Sequence, residues 1–202
     1  MIKTLLFDFG DVFLTLDKKA TLREFKRLGV TDFSPEVFKF LQEYEKGKIS
    51  SRTFIVQFKE WFPHISENQI IQAWNAILLD FPKPRMDFIK KLASEEKFKL
   101  ILLSNTNDLH IDWVAKNIAF FEEFKGCFDA FYLSHEINFR KPDHNIFQFI
   151  IKKHNLEPNE VLFIDDTAEN TKSAEKLGFK IWNINPEKED VTQLFHLKKE
   201  LF

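Results

Sequence analysis

Three groups of residues place reactive side chains where an apolar run stops, and a fourth stands at a helix entrance. Leu5-Leu6-Phe7 runs into Asp8, with the flexible Gly10 two residues later and Asp11 beside it. The run ending at Leu103 leads into Ser104-Asn105-Thr106-Asn107, and Val161-Leu162-Phe163-Ile164 leads into Asp165-Asp166, with Glu169 and Asn170 just beyond. Arg140-Lys141-Pro142 stands before a helical pattern. If the runs are parallel strands, their carboxyl ends share one rim, where open α/β sheets bind ligands. Carboxylates, a hydroxyl, an amide and a cation would then meet, and that inventory suits phosphoryl transfer. Magnesium takes oxygen ligands, often one or two carboxylates completed by phosphate and water. Asp8 with Asp165 or Asp166 could provide them. Ser104 and Asn105, in a strand-to-helix turn, could offer fixed donors to a phosphate, and Lys141 could offset its charge. A carboxylate can also attack phosphorus, giving an aspartyl-phosphate that water later clears.

Each group alone has an ordinary structural role. An aspartate at a strand end is often a cap or turn residue, and Asp165-Asp166 could start a helix. Ser104-Asn105 is common turn chemistry, and Lys141 could be a solvated surface charge. Their joint occurrence in this order, each at a strand end or helix entrance, gives the set its weight.

The elements that must hold these residues follow from periodicity. Beyond residue 84, strand-like runs at 99–103, 128–133, 161–164 and 180–182 alternate with helical patterns at 84–96, 107–123, 143–155 and 168–177. Such alternation indicates βαβ units and a parallel sheet, an α/β fold. Gly178 is placed to end one helix before the next strand. Residues 17–83 break the alternation with helical patterns near 18–28, 35–46, 51–61 and 67–79. Ser34-Pro35 and Ser66 with Gln69 are helix-start signals. This stretch is expected to be a small helical domain inserted after the first strand, returning through Phe81-Pro82-Lys83-Pro84. The core would comprise 1–16 and 84–202.

Composition bounds the rest. The 202 residues are 44% hydrophobic and 30% charged, as in a globular protein rather than a disordered one. A net charge of −2 offers no electrostatic footprint for nucleic acid. The single cysteine, Cys127, excludes an internal disulfide and fits a reducing compartment. The N-terminal apolar stretch, interrupted by Asp8, is too short for a signal peptide or membrane span. A cytoplasmic location is expected. The 25 phenylalanines are taken as core filling. Oligomeric state is left open.

The motifs resemble those of the haloacid dehalogenase-like hydrolase superfamily over nearly the whole chain. Phe7-Asp8-Phe9-Gly10-Asp11-Val12, Leu102-Leu103-Ser104-Asn105-Thr106-Asn107, Lys141-Pro142 and Phe163-Ile164-Asp165-Asp166 carry the resemblance. Ser104 to His110, Tyr132-Leu133-Ser134 with Arg140 to Asp143, and Gly47-Lys48-Ile49-Ser50 are similar to the bacterial α-glucose-1-phosphate phosphatase group. The resemblance implies a Rossmann-like core with a helical cap. It implies Asp8 as nucleophile and Mg²⁺ ligand, the Gly10 carbonyl and Asp166 also on Mg²⁺, and Asp165 close by. Ser104, the Asn105 backbone and Lys141 would hold the phosphate of a small phosphorylated metabolite, a sugar phosphate first among them. One departure stands out. Superfamily phosphatases usually carry a second aspartate, the general acid and base, where this chain has Gly10; Asp11 is the adjacent candidate to replace it. A metal-independent 2-haloacid dehalogenase and a catalytically weak phosphate-binding regulatory protein are the alternatives.

Overall fold

In a computed structural model describing residues 1–30 and 32–202, the first apolar run forms β1 (Thr4–Phe7), buried at every residue. The chain then leaves for α1 (Ala20–Arg27), α2 (Pro35–Glu45), α3 (Ser51–Trp61) and α4 (Glu67–Asn75). Side-chain caps fix the starts of three of these helices. Ser34 Oγ accepts the Val37 N–H, Ser50 Oγ accepts the Thr53 N–H, and Ser66 with Gln69 forms a reciprocal capping box. The inward faces of the helices meet in an apolar cluster of their own, built on Phe25, Val37, Tyr44, Phe54, Phe58, Ile70 and Trp74.

Helix α4 stops at Asn75, short of the expected 79, because the next residues pair with the outgoing chain. The Thr15 N–H donates to Asp80 O, Leu79 N–H to Thr15 O, and Asp17 N–H to Ile77 O. This short antiparallel ladder ties the two passages between sheet and insertion.

From α5 (Lys83–Glu95) onward helices and strands alternate: β2 (Lys99–Ser104), α6 (Asp108–Asn117), α7 (Phe121–Lys125), β3 (Ala130–Leu133), α8 (Ser134–Ile137), α9 (His144–His154), β4 (Val161–Asp165), α10 (Ala168–Glu175), β5 (Lys180–Asn183) and the short α11 (Leu194–Leu197). The helix expected across 107–123 is two helices. It ends where Ile118 turns extended and the Asn117 side chain donates to Trp113 O, a local bond that competes with helix continuation.

All strand pairs are parallel, in the order β3-β2-β1-β4-β5. Both faces are covered, which explains the near-continuous apolar strands. Leu5, Phe7, Leu100 and Leu102 pack with Ile89 and Phe124 on one side; Leu6, Ile101, Leu103 and Phe163 pack with Phe147 and Ile150 on the other. Most phenylalanines join these clusters, while Phe38 and Phe195 are exposed. Among the described residues no helix is long and apolar enough to cross a membrane.

Register positions the site. Phe7 lies opposite both Leu102 and Ile164, so Asp8 and Asp165 leave the sheet side by side. The chain proceeds from β1 outward through β2 and β3, then crosses to β4 and β5 on the opposite side. The order therefore reverses between β1 and β4, the place where such sheets leave a crevice beyond their carboxyl ends.

Candidate active site

Asp8, Lys141 and Asp165 form the buried floor of that crevice. Lys141 Nζ donates to Asp8 Oδ1 and Asp165 Oδ2, each at 2.7 Å, and its side chain is 0% exposed. Asp165 accepts further bonds from the Thr167 N–H at 2.8 Å and from Asn170 Nδ2 at 3.0 Å to both oxygens. Its oxygens are thereby occupied by protein donors. Asp8 is different: among the described residues only Lys141 reaches its carboxylate. Burial pushes the Asp8 pKa up to about 7, with Asp165 and Asp166 adding to the rise and Lys141 opposing it. Burial pulls Lys141 down, but the two carboxylates outweigh it and hold the ammonium above its ordinary value.

Asn105 sets the height of the lysine. Its Nδ2 donates to Lys141 O at 2.8 Å and its Oδ1 accepts the Lys141 N–H at 2.9 Å. The Asn105 side chain thus brackets the lysine backbone while the residue lines the cavity. Ser104 is buried, 3% exposed, and does not line the cavity.

The second carboxylate of the pair, Asp166, faces the cavity that holds Asp8. Burial raises its pKa, and its partner is Lys18 on the linker leaving the sheet, whose ammonium contacts Asp166 Oδ2 and lies 3.1 Å from Asp11 Oδ2. Asp11 has φ 56° and accepts the Leu16 N–H at 3.0 Å on its other oxygen. Asp11 consequently lines the neighbouring cleft with Asp166 rather than the Asp8 cavity. The place of a side chain at residue 10 is taken by Leu16, whose Cδ1 is 2.7 Å from where a Gly10 Cβ would be.

The cavity has a volume of about 330 Å³, and Gln42 of α2 and Arg140 line it as well. Arg140 is held by Glu45, Nε at 3.0 Å and Nη2 at 2.9 Å from the same oxygen, and burial raises the Glu45 pKa. The insertion meets the core along this side. Ser134 Oγ donates to Glu45 O at 2.7 Å, Asn138 Nδ2 to Lys46 O at 2.8 Å, and Lys46 pairs with Asp143 at 3.2 Å. Gly47, at φ 66°, comes so close that a Cβ would sit 1.9 Å from His135 O; only glycine fits there. A second anchor is His110, stacked on Trp74 with centroids 5.2 Å apart. Trp74 Nε1 also donates to Asn107 Oδ1 at 3.2 Å.

Sequence reasoning brought together Asp8, Gly10, Ser104, Asn105, Lys141, Asp165 and Asp166; the structure sets all of them but Ser104, which is buried off the cavity, around one crevice. It overlooked Lys18 and Gln42, because a lysine in a polar linker and a glutamine on a solvent face carry no distinguishing spacing.

Comparison with known proteins adds the family. Residues 2–178 match the haloacid dehalogenase-like hydrolase family. The chain belongs to that family. This haloacid dehalogenase-like hydrolase is 32% identical over 190 residues to D-ribitol-5-phosphate phosphatase of Bacteroides thetaiotaomicron, covering 89% of this chain and 90% of that one. A solved haloacid dehalogenase (HAD) family enzyme of Bacteroides thetaiotaomicron, in its magnesium complex, superposes with TM-score 0.86 at 35% identity, covering 96% of this chain and 98% of that one. A structure of the same enzyme with magnesium and inorganic phosphate gives TM-score 0.83 at 35% identity, covering 96% and 100%.

Proposed function

We propose that this hydrolase is a Mg²⁺-dependent phosphatase of small polyhydroxylated phosphomonoesters, with Asp8 as nucleophile. The observation that carries the reading is the state of Asp8. One oxygen is fixed by Lys141, no protein donor among the described residues occupies the other, and the carboxylate opens on the cavity beside Asp166. The D-ribitol-5-phosphate phosphatase relative and the neighbour holding magnesium and inorganic phosphate support it.

The donor set fits a hard divalent cation. Asp8, Asp165 and Asp166 offer oxygens all within 4.8 Å of one another, and burial has raised both Asp8 and Asp166, the mark of negative charge short of counter-ions. Since the Asp165 oxygens already accept protein donors, Asp8 and Asp166 would hold the ion, with the Gly10 carbonyl beside them. Bound Mg²⁺ supplies charge that draws the phosphate against the carboxylates.

The residues then divide the work. Asp8 attacks phosphorus through its open oxygen, and the leaving alcohol departs on the opposite side, giving an aspartyl-phosphate that water hydrolyses. Lys141 keeps Asp8 oriented and offsets the charge of the phosphoryl oxygens. Asn105 and Asp165 keep Lys141 in place. The Asn105 backbone is assigned to the phosphate, while Ser104, buried and off the cavity wall, is not. The helical insertion, residues 17–83, acts as a cap, with Gln42 facing the leaving group. A halide-displacing enzyme would leave Asp166 without a task.

A panel of pentitol 5-phosphates, sugar 1-phosphates and sugar 6-phosphates, run with Mg²⁺ and with chelator, tests the reading. Phosphate release from at least one class, abolished by chelator, is expected. Metal-independent halide release from a 2-haloacid without phosphatase activity would overturn it.

A further inference from the structure

The cavity contains three cations, and two are committed. Lys141 is fully buried and bonded to both Asp8 and Asp165, and Arg140 is gripped by Glu45. The third, Lys18, is unlike them. Its side chain is 53% exposed, and its ammonium lies between two carboxylates, Asp11 and Asp166, at the wall shared by the cavity and the adjoining cleft. Of its two partners, Asp166 is the one a divalent cation would claim. A doubly charged ion on that oxygen displaces an ammonium from it, because two cations cannot share one short contact without strong repulsion. Asp11 remains, one oxygen fixed by the Leu16 N–H and the other 3.1 Å from the ammonium. Lys18 is then a cation tethered to the cavity wall with a free donor.

The neighbourhood of Gly10 makes that position useful. Leu16 fills the space beside Gly10, so no acidic side chain comes from there, and Asp11 does not line the Asp8 cavity. A phosphoryl group moving to Asp8 leaves its electron pair on the departing oxygen, which must be stabilised until it takes a proton from solvent. Resting on the phosphatase reading above, we propose that Lys18 contacts the leaving oxygen and stabilises its charge, doing by charge and hydrogen bonding what an acidic side chain at residue 10 would otherwise do. The bond that breaks is phosphorus to leaving oxygen, and the bond that forms is phosphorus to Asp8. Lys18 keeps its proton throughout. The substrates it serves best are esters of poor leaving groups, the alkoxides of sugars and polyols.

The test is the dependence on leaving group. Wild-type protein and Lys18→Met are assayed with Mg²⁺ on p-nitrophenyl phosphate, whose phenolate needs little help, and on a pentitol 5-phosphate. Removal of one preorganised donor to a developing oxyanion costs about 10²-fold or more in kcat. Lys18→Met should lose about that much on the polyol ester, at least tenfold more than on p-nitrophenyl phosphate, and Lys18→Arg should recover part of the difference. Calorimetric titration with Mg²⁺ alone gives a readout apart from turnover: Lys18→Met should bind the ion at least as tightly, since a competing cation is gone. Equal losses on both esters, or weaker Mg²⁺ binding by Lys18→Met, would overturn the assignment while leaving the phosphatase reading intact. A wild-type protein that turns over neither ester would overturn that reading, and the assignment with it.

Discussion

Replacing His110 with glutamine should remove an acid-sensitive part of this protein's stability. The ring of His110 lies on Trp74, its Nδ1 faces Asn107 Nδ2 at 3.2 Å, and its Nε2 faces Trp74 O at 3.3 Å. An amide N–H can only be accepted by an unprotonated Nδ1, so the proton sits on Nε2 and is donated to the carbonyl. Protonating Nδ1 would set two donors against each other in a largely buried place. Burial accordingly holds the pKa down to about 4, against 6.5 for a free histidine. The sign follows directly. Between those values the unfolded chain binds a proton that the folded protein refuses, so the contribution is complete above 6.5 and is lost as pH falls towards 4. Comparing the two binding curves at about pH 5 gives a loss of about 2 kcal/mol, an upper figure because the residue is not completely buried. Urea unfolding of wild type and His110→Gln, without divalent ions, at about pH 7.5 and about pH 5 measures it. Asp8 works in the opposite sense, adding stability as pH falls from about 7 towards 3.8, but it is present in both proteins and cancels in the difference. The gap between wild type and variant should shrink by about 1–2 kcal/mol on acidification. A gap that is the same at both pH values would refute the reasoning.

Asp165, which ends β4, and Asp166, which follows it, should fail in different ways. Asp165→Asn leaves the buried Lys141 ammonium with one charged partner and should cost about 3 kcal/mol or more in unfolding free energy, whereas Asp166→Asn should unfold near wild type yet lose Mg²⁺ binding by calorimetry. Mg²⁺ binding should also depend on pH. With the Asp8 pKa at about 7, the ion must displace a proton at lower pH, so apparent affinity should fall about tenfold per unit below about pH 7. That slope should vanish in Asp8→Asn.

Much of this site is visible in the sequence because its physics is local. Asp8 and Asp165 follow strands whose every residue is apolar or buried, and a parallel sheet puts such ends on one edge whatever the strand order. Serine caps at residues 34 and 66 likewise announce their helices. Relations between distant segments are hidden. Glu43, Tyr44, Lys46 and Trp61 are natural candidates for choosing substrate by residue type, yet Tyr44 and Trp61 pack in the insertion's own cluster, Glu43 pairs with Lys48, and Lys46 with Asp143. Gln42 faces the cavity instead. Helical periodicity tells which face of α2 is buried, but not which part of its solvent face looks at the sheet. Lys18 is hidden for a related reason: one of its partners, Asp166, meets it only after β4 has folded beside β1. Asp11, the candidate to stand in for an acid at residue 10, has a left-handed backbone, and its carboxylate meets the Leu16 N–H and Lys18 in the neighbouring cleft.

The most direct test of the account is to catch the phosphorylated enzyme. Wild-type protein mixed with Mg²⁺ and a turned-over sugar or polyol phosphate is quenched in acid within the first turnover, digested, and analysed by mass spectrometry. The account predicts a phosphoryl group on Asp8, absent with chelator, and neither adduct nor turnover in Asp8→Asn. Continued turnover by Asp8→Asn, or a phosphoryl group on any other residue, would contradict it.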